Sequence, residues 1–288
     1  RDLHYPLRRQ RQMCIRDSLR VDQGAQRRLR RPISAGRNAA GGVDRPYPRP
    51  PLYRRGARWL VKVARTRWTK AVRIIRSIFP PIDLFEDIAD PADWAAIMAA
   101  EQKTNPRLAE RLGEVERVPP GRRVGGTGAS YLMAPFTHVS ADRQSRFSDG
   151  SFGVLYVADS FEVALAETIH HHERFMAATA EPESWTNQFR EIVLDVDADL
   201  HVVDPQADAA LLHPDDYAKA QEAAAALRAA GSHGLRYPSV RQPGGACVAL
   251  FYPDCASAPV QGRHLAYHWN GECAVSYTHL TLPTKRIV

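Results

Sequence analysis

The sequence has no apolar run near the roughly 20 residues that a membrane-spanning helix needs. Its basic N-terminus also lacks the apolar stretch of a signal peptide. A cytoplasmic location and no membrane partner are the expectation. Cysteine is scarce: Cys14, Cys247, Cys255 and Cys273 make four, with no CxxC pair. That usage argues against a disulfide-stapled fold and a cysteine zinc site, and points to buried, inert thiols in a reducing compartment. No GxxxxGK[ST] frame surrounds the glycines of Gly125–Gly128, so they are a weak signal for a phosphate loop. His170, His171 and His172 are consecutive, and neighbouring helical residues point about 100° apart. Three such rings do not converge on one ion, and no metal is expected.

Acidic residues are nearly missing from the first quarter of the chain. Residues 1–72 hold 20 Lys and Arg against 4 Asp and Glu, leaving 19 against 28 over 73–288. The formal charge of +7 therefore averages a basic leader and an acidic remainder. The leader is rich in Arg, Pro and Gly, with too little apolar periodicity to offset its ordering entropy, and disorder is expected over 1–66. Two terminal stretches, QMCIRDS at 12–18 and VSYTHLTLPTKRIV at 275–288, resemble translated sequencing-adapter fragments. On that resemblance 1–66 and 274–288 are expected to be non-native. A genuine basic leader would instead bind polyanions with steep salt dependence, so a nucleic-acid-binding protein is the alternative from another class.

What remains, 67–273, reads as one domain with enough apolar content for an ordinary core; hydrophobic residues make up 44% of the chain. Thr69–Ile78 reads as a strand bearing Arg73, ended by Pro80-Pro81. Helical patterns follow at Asp83–Ile88, Pro91–Glu101 and Asn105–Glu116, while Ala129–Phe136 fits strand or helix. Arg190–Val196 and Leu200–Val203 read as strands, Pro214–Ala230 as an Ala-rich helix stopped by Gly231, and Gly234–Tyr237 and Ala246–Tyr252 as closing strands. Strands and helices do not alternate regularly, which predicts an α+β fold: a compact mixed sheet with flanking helices.

The densest signal is Arg146–His172, RFSDGSFGVLYVADSFEVALAETIHHH. Turn formers lead into the short strand Val154–Val157, and Asp159 or Ser160 then caps a helix with Glu162 in its first turn. This order predicts that Arg146, Tyr156 and Glu167 share one pocket. An inward Glu167 needs a partner, because an unpaired buried carboxylate is expensive; Arg146 or a bound ligand would serve. Taken singly, Glu167 also fits the solvent edge of an amphipathic helix, Tyr156 a core aromatic, and Ser239 a turn hydroxyl.

Together, VRIIRSIFPPIDLF, SRFSDGSFGVLYVADSFEVALAET and GLRYPSVRQPGGACVALF resemble the RES domain, over roughly Trp68–Glu272. The resemblance implies a fold related to ADP-ribosyltransferases and a toxin of a bacterial toxin–antitoxin pair, whose partner is an Xre-type antitoxin. It implies cleavage of the nicotinamide–ribose bond of NAD, by phosphorolysis, hydrolysis or ADP-ribosyl transfer. NAD would then be substrate rather than bound cofactor, inorganic phosphate a possible acceptor, and a homodimer a possible state. Carried over by position, Arg73, Glu167 and Ser239 are the catalytic candidates, and these three with Arg146 and Tyr156 the NAD-binding set. The two arginines would meet the diphosphate, Glu167 the charge developing on the ribose, and Tyr156 the nicotinamide or ribose. Ser239 is the weakest match, since some members place the serine where this chain has Tyr217-Ala218. The long segment Asp83–Ser145 leaves open which arginine meets which phosphate. A catalytically inactive interaction domain is the remaining alternative.

Overall fold

The computed structural model describes residues 62–77, 113–179 and 181–279. The leader up to residue 61, the helical patterns at 83–88 and 91–101, most of that at 105–116, and residues 280–288 lie outside them. Seven strands form one sheet: β1 (Lys62–Arg76), β2 (Leu155–Ala158), β3 (Thr186–Val202), β4 (Gly234–Pro238), β5 (Ala246–Leu250), β6 (Val260–Trp269) and β7 (Ala274–His279). Three helices accompany them: α1 (Ala129–Thr137), α2 (Phe161–Ala177) and α3 (Ala218–Ala229).

The strand order is β1-β2-β5-β4-β3-β6-β7, with β1 also paired to β3. That extra pairing closes β1, β2, β5, β4 and β3 into a ring, and β6 and β7 extend from β3. The β3–β4 pair is parallel and the others are antiparallel, so the sheet is mixed. This is the α+β architecture that the irregular element order predicts.

Strand periodicity separates two cores. Leu155 and Val157 join Ile192, Leu194, Val196, Ala198 and Leu200 of β3 on one side, where Leu132, Met133 and Phe136 of α1 cover them. Ala158, Val72 and Ile74 turn to the other side, against Val163 and Ala164 of α2 and Ala220, Ala223, Ala224 and Leu227 of α3. The four α3 residues fall at i, i+3, i+4 and i+7, one helical stripe. Its alanines allow close approach to the sheet. Gly231, at φ +83°, ends the helix: its N–H bonds to the Arg228 carbonyl at 2.9 Å and Ser232 N–H to the Leu227 carbonyl at 3.0 Å, the bond pair of a glycine helix stop.

Several boundaries differ from the sequence expectation. β1 starts at Lys62, so a domain edge at 66 falls inside a strand, and β7 sets 274–279 beside β6. Arg190–Val196 and Leu200–Val203 are parts of one strand, β3, because Asp197 and Asp199 point outward and pair with Arg65 at 2.6 and 3.7 Å. Ala246–Tyr252 does not close the sheet; β6 and β7, broken by polar residues and a loop, do. Ala129–Thr137 is helical despite Pro135. The end of the 105–116 pattern is a 3-10 turn, Val115–Arg117.

Candidate active site

The Gly-rich turn is built around the Tyr156 hydroxyl. It accepts a hydrogen bond from Phe147 N–H at 2.9 Å and shares one with Ser145 Oγ at 2.8 Å. Gln221 of α3 donates to the Ser145 and Ser148 carbonyls at 3.0 and 3.3 Å, so helix and tyrosine clamp the turn from two sides. Ser148 Oγ, bonded to the Phe152 carbonyl at 2.6 Å, closes it internally. Burial raises the Tyr156 pKa to about 12, so the phenol stays protonated as a hydrogen-bonding group.

This clamp presents Arg146, which is 8% exposed. Its Nη1 donates to the carbonyls of His213 at 2.7 Å and Leu211 at 3.3 Å, and its guanidinium lies 4.7 Å from the Tyr217 ring centroid. No carboxylate among the described residues forms an ion pair with it. A buried guanidinium balanced only by carbonyls and a ring favours an incoming anion.

Glu167 sits on α2, which Ser160 caps by accepting from Val163 N–H at 3.4 Å; Asp159 instead accepts from Ala246 N–H at 2.8 Å, tying β2 to β5. Ser239 Oγ donates to Glu167 Oε1 at 2.7 Å. Ser239 Oγ in turn accepts from the backbone N–H groups of Arg241 at 3.2 Å and Gln242 at 3.0 Å. Ser239 is thus both turn hydroxyl and partner of Glu167. With one donor and two lone pairs engaged, it is saturated. The partner of Glu167 is therefore this serine, not Arg146.

Tyr237, two residues before Ser239 on β4, ties these groups together. It is buried, 4.9 Å edge-on to Phe147. Burial pushes its pKa up, with Cys247, Tyr156 and Glu167 adding to the rise and Arg146 opposing it. Arg146, Tyr156 and Glu167 thus all act on the Tyr237 phenol, and Ser239 joins them through its bond to Glu167. Arg73 stands apart. Its neighbours at strand period, Ala71 and Ile75, belong to the α1-side core, and its Nη1 reaches the backbone carbonyl of Tyr156 at 3.1 Å. Burial lowers its pKa to about 10, which leaves it cationic at neutral pH. It meets the others through the β2 backbone, with no side-chain bond to Arg146, Glu167 or Ser239.

Residue-by-residue reading misses Arg241, Tyr217 and His171. Arg241 donates to the Pro214 carbonyl at 2.6 Å and lies 3.8 Å from Asp215. His171 is exposed, yet its pKa is lowered first by burial and then by Arg241, Arg174 and Arg146. The three arginines nearby disfavour a second positive charge on that ring. The signal available was the position of Arg241 two residues beyond Ser239. His170 and His171 meet edge-on, with ring centroids 5.4 Å apart, while His172 packs against Phe189 and Tyr267. Among the described residues no group of three His, Cys, Asp or Glu side chains could hold a metal ion. Cys247 and Cys255 are buried and burial raises both thiol pKa values, that of Cys255 to about 12, so neither is poised as a thiolate.

The arrangement offers a carboxylate held by a hydroxyl, a buried guanidinium without a carboxylate partner, a further arginine, Arg241, and three tyrosines. It suits a ligand with anionic groups at one end and a hydroxylated, electron-deficient centre at the other.

A curated relative, the uncharacterized protein y4oC of Sinorhizobium fredii (strain NBRC 101917 / NGR234), is 26% identical over 206 residues, covering 69% of this chain and 82% of that protein. Among solved structures, the crystal structure of the M. tuberculosis MbcT–MbcA toxin–antitoxin complex aligns with a TM-score of 0.33 and 17% identity, over 42% of this chain and 70% of that chain. No helix of the described residues is long and apolar enough to cross a membrane. The family model of the RES domain matches residues 120–270, a span that holds Arg146, Tyr156, Glu167 and Ser239 but not Arg73, and by that match the chain belongs to the RES domain family.

Proposed function

We propose that this protein is the toxin of a bacterial toxin–antitoxin pair and that it cleaves the nicotinamide–ribose bond of NAD. The observation that carries the reading is the Ser239–Glu167 hydrogen bond at 2.7 Å, together with the buried, carboxylate-free Arg146 that shares Tyr237 as neighbour. Membership of the RES family supplies the reaction class, and the residues supply a division of labour.

NAD brings a diphosphate and a ribose whose C1″ carries nicotinamide. Arg146 is the diphosphate ligand, since its guanidinium is already desolvated and lacks a counter-charge. Arg241 adds a second positive charge nearby, and His171, its pKa lowered, stays neutral beside it. Arg73 supports Tyr156 from the backbone side. As the C–N bond breaks, its electron pair leaves with nicotinamide and positive charge builds on the ribose. Glu167 stabilises that charge directly or by holding the ribose hydroxyls. Ser239 keeps the carboxylate aimed, and its remaining valences are spent on the turn. The Tyr156 phenol, protonated, donates or stacks but does not act as a base.

Phosphate, water or a protein side chain then takes the C1″ position. An Xre-type antitoxin is the expected partner, silencing the enzyme by covering the pocket. The test is NAD loss with the full chain, with and without inorganic phosphate, and product identification. Phosphate-dependent loss yielding nicotinamide and ADP-ribose-1″-phosphate establishes a phosphorylase, and phosphate-independent loss a glycohydrolase or transferase. A folded chain that leaves NAD intact in both conditions overturns the catalytic reading and favours an interaction domain.

A further inference from the structure

A cavity lies at the far end of the Gly-rich turn, beyond the clamp on Tyr156. Its volume is about 220 Å³, its walls are the rings of Phe136, Phe152, Phe251 and Tyr252, and its polar groups include Arg117 and Arg228. None of Arg73, Arg146, Tyr156, Glu167 or Ser239 lines it.

The two arginines differ in what balances them. Arg117 is satisfied: its Nε donates to Glu114 at 2.6 Å and its Nη1 to the Ser151 carbonyl at 3.1 Å. Arg228, in the last turn of α3, has no hydrogen bond or ion pair among the described residues, and its Nε is buried without a partner. Its guanidinium lies 4.9 Å from the Phe152 ring centroid and 5.8 Å from that of Tyr252. The helix C-terminus and the two ring faces favour a cation there. They do not supply an acceptor for its N–H groups, and a partly desolvated guanidinium without one is ready for an anion.

The chemistry of the occupant follows from charge, shape and size. One uncompensated cation calls for a monoanion. Planar N–H groups over aromatic walls match a carboxylate with an apolar body better than a phosphate, whose additional oxygens would face rings. A dry cavity of about 150 Å³ accommodates benzene, so this one has space for a single ring with its carboxylate. We propose that the cavity is a small-molecule site, separate from the Glu167 pocket and independent of the reading given to it, that takes a compact monocarboxylic acid with one apolar ring.

The test is a titration of the full chain with benzoate, with benzyl alcohol and inorganic phosphate in parallel, followed by ligand-observed NMR and by the arginine Nε–H signals. The expected result is that benzoate binds at least tenfold more tightly than benzyl alcohol, shifts the Arg228 signal, and is not displaced by phosphate. Arg228→Met should lose that tenfold preference and keep its affinity for benzyl alcohol. Equal affinities, absence of benzoate binding, displacement by phosphate, or a shift confined to Arg146 or Arg241 would each overturn the proposal. If Arg228→Met does not fold, the benzoate and benzyl alcohol comparison on the unaltered chain decides.

Discussion

Glu167 and Ser239 divide the work between charge and aim, and substitutions separate the two. Glu167→Gln keeps the shape and an acceptor for Ser239 but removes the charge that opposes the developing cation. NAD turnover should fall by about 100-fold or more, read as initial rate with the circular dichroism spectrum unchanged. Ser239→Ala removes a hydrogen bond to a charged group, an interaction of about 1.5–3 kcal/mol, and leaves two turn N–H groups without their acceptor. Its expected signature is a kcat loss of about 10- to 100-fold with KM little changed, since a mis-aimed carboxylate still leaves the diphosphate site intact. Ser239→Thr should restore part of the rate. Arg146→Lys preserves charge but not the planar fork, and should raise KM for NAD by about tenfold. A kcat effect alone in that variant would move Arg146 out of the diphosphate role.

The Gly-rich turn works as an element because α1 packs directly on it. A Cβ added at Gly153 would fall on the Pro135 carbonyl oxygen and 2.5 Å from Phe136 Cα, both backbone and neither able to swing aside. Gly153→Ala should therefore cost about 3 kcal/mol, as an overpacked core does. Gly121→Ala, with nothing within 4 Å of the new methyl, serves as the control and should stay within about 0.5 kcal/mol. Urea unfolding of the two variants checks both values. Most of this element was readable beforehand, because Gly, Ser and Asp in a cluster followed by a β-branched run and a Ser cap are local signals. The clamp by Gln221 was not: it comes from a residue 73 to 76 positions away.

Across the molecule, buried imidazoles set the response to acid. His172, His201 and His233 are 4%, 7% and 3% exposed, and burial lowers all three pKa values, that of His172 to about 4. Arg76 donates to Asn187 Oδ1 at 2.7 Å, which turns the amide nitrogen toward His172 Nε2 at 3.4 Å and requires that nitrogen to be an unprotonated acceptor. The unfolded chain takes up these protons below about pH 6.5, while the folded protein does not. Stability should thus be full above that pH and fall as the pH drops toward 4, by about 3 kcal/mol from His172 alone. Denaturant midpoints measured from pH 7 to 4 check the slope, and His172→Phe should flatten it. A midpoint that rises on acidification would contradict this account.

Local chemistry decided the α+β class, the turn-strand-helix order around Arg146, Tyr156 and Glu167, and the cap and stop of the helices, because these depend on residues within a few positions of one another. The ordered motifs also carried the family likeness, and with it Ser239. Tertiary structure alone decided who partners whom. Glu167 meets Ser239 across 72 positions, where proximity along the chain had favoured Arg146. Arg73 faces the α1-side core and touches the site only through a backbone carbonyl, since which face of a strand a residue occupies depends on the register of β1 against β3 and on the bulge between Trp68 and Ala71. β6 joined the sheet through long-range pairing with β3 and carried β7 with it as a hairpin, which their own polar-rich sequences do not announce. Burial did the rest: it took His172 into the core while His170 and His171 stayed in edge-on contact, and it left Arg228 a cation without an acceptor; burial is a property of the packed molecule.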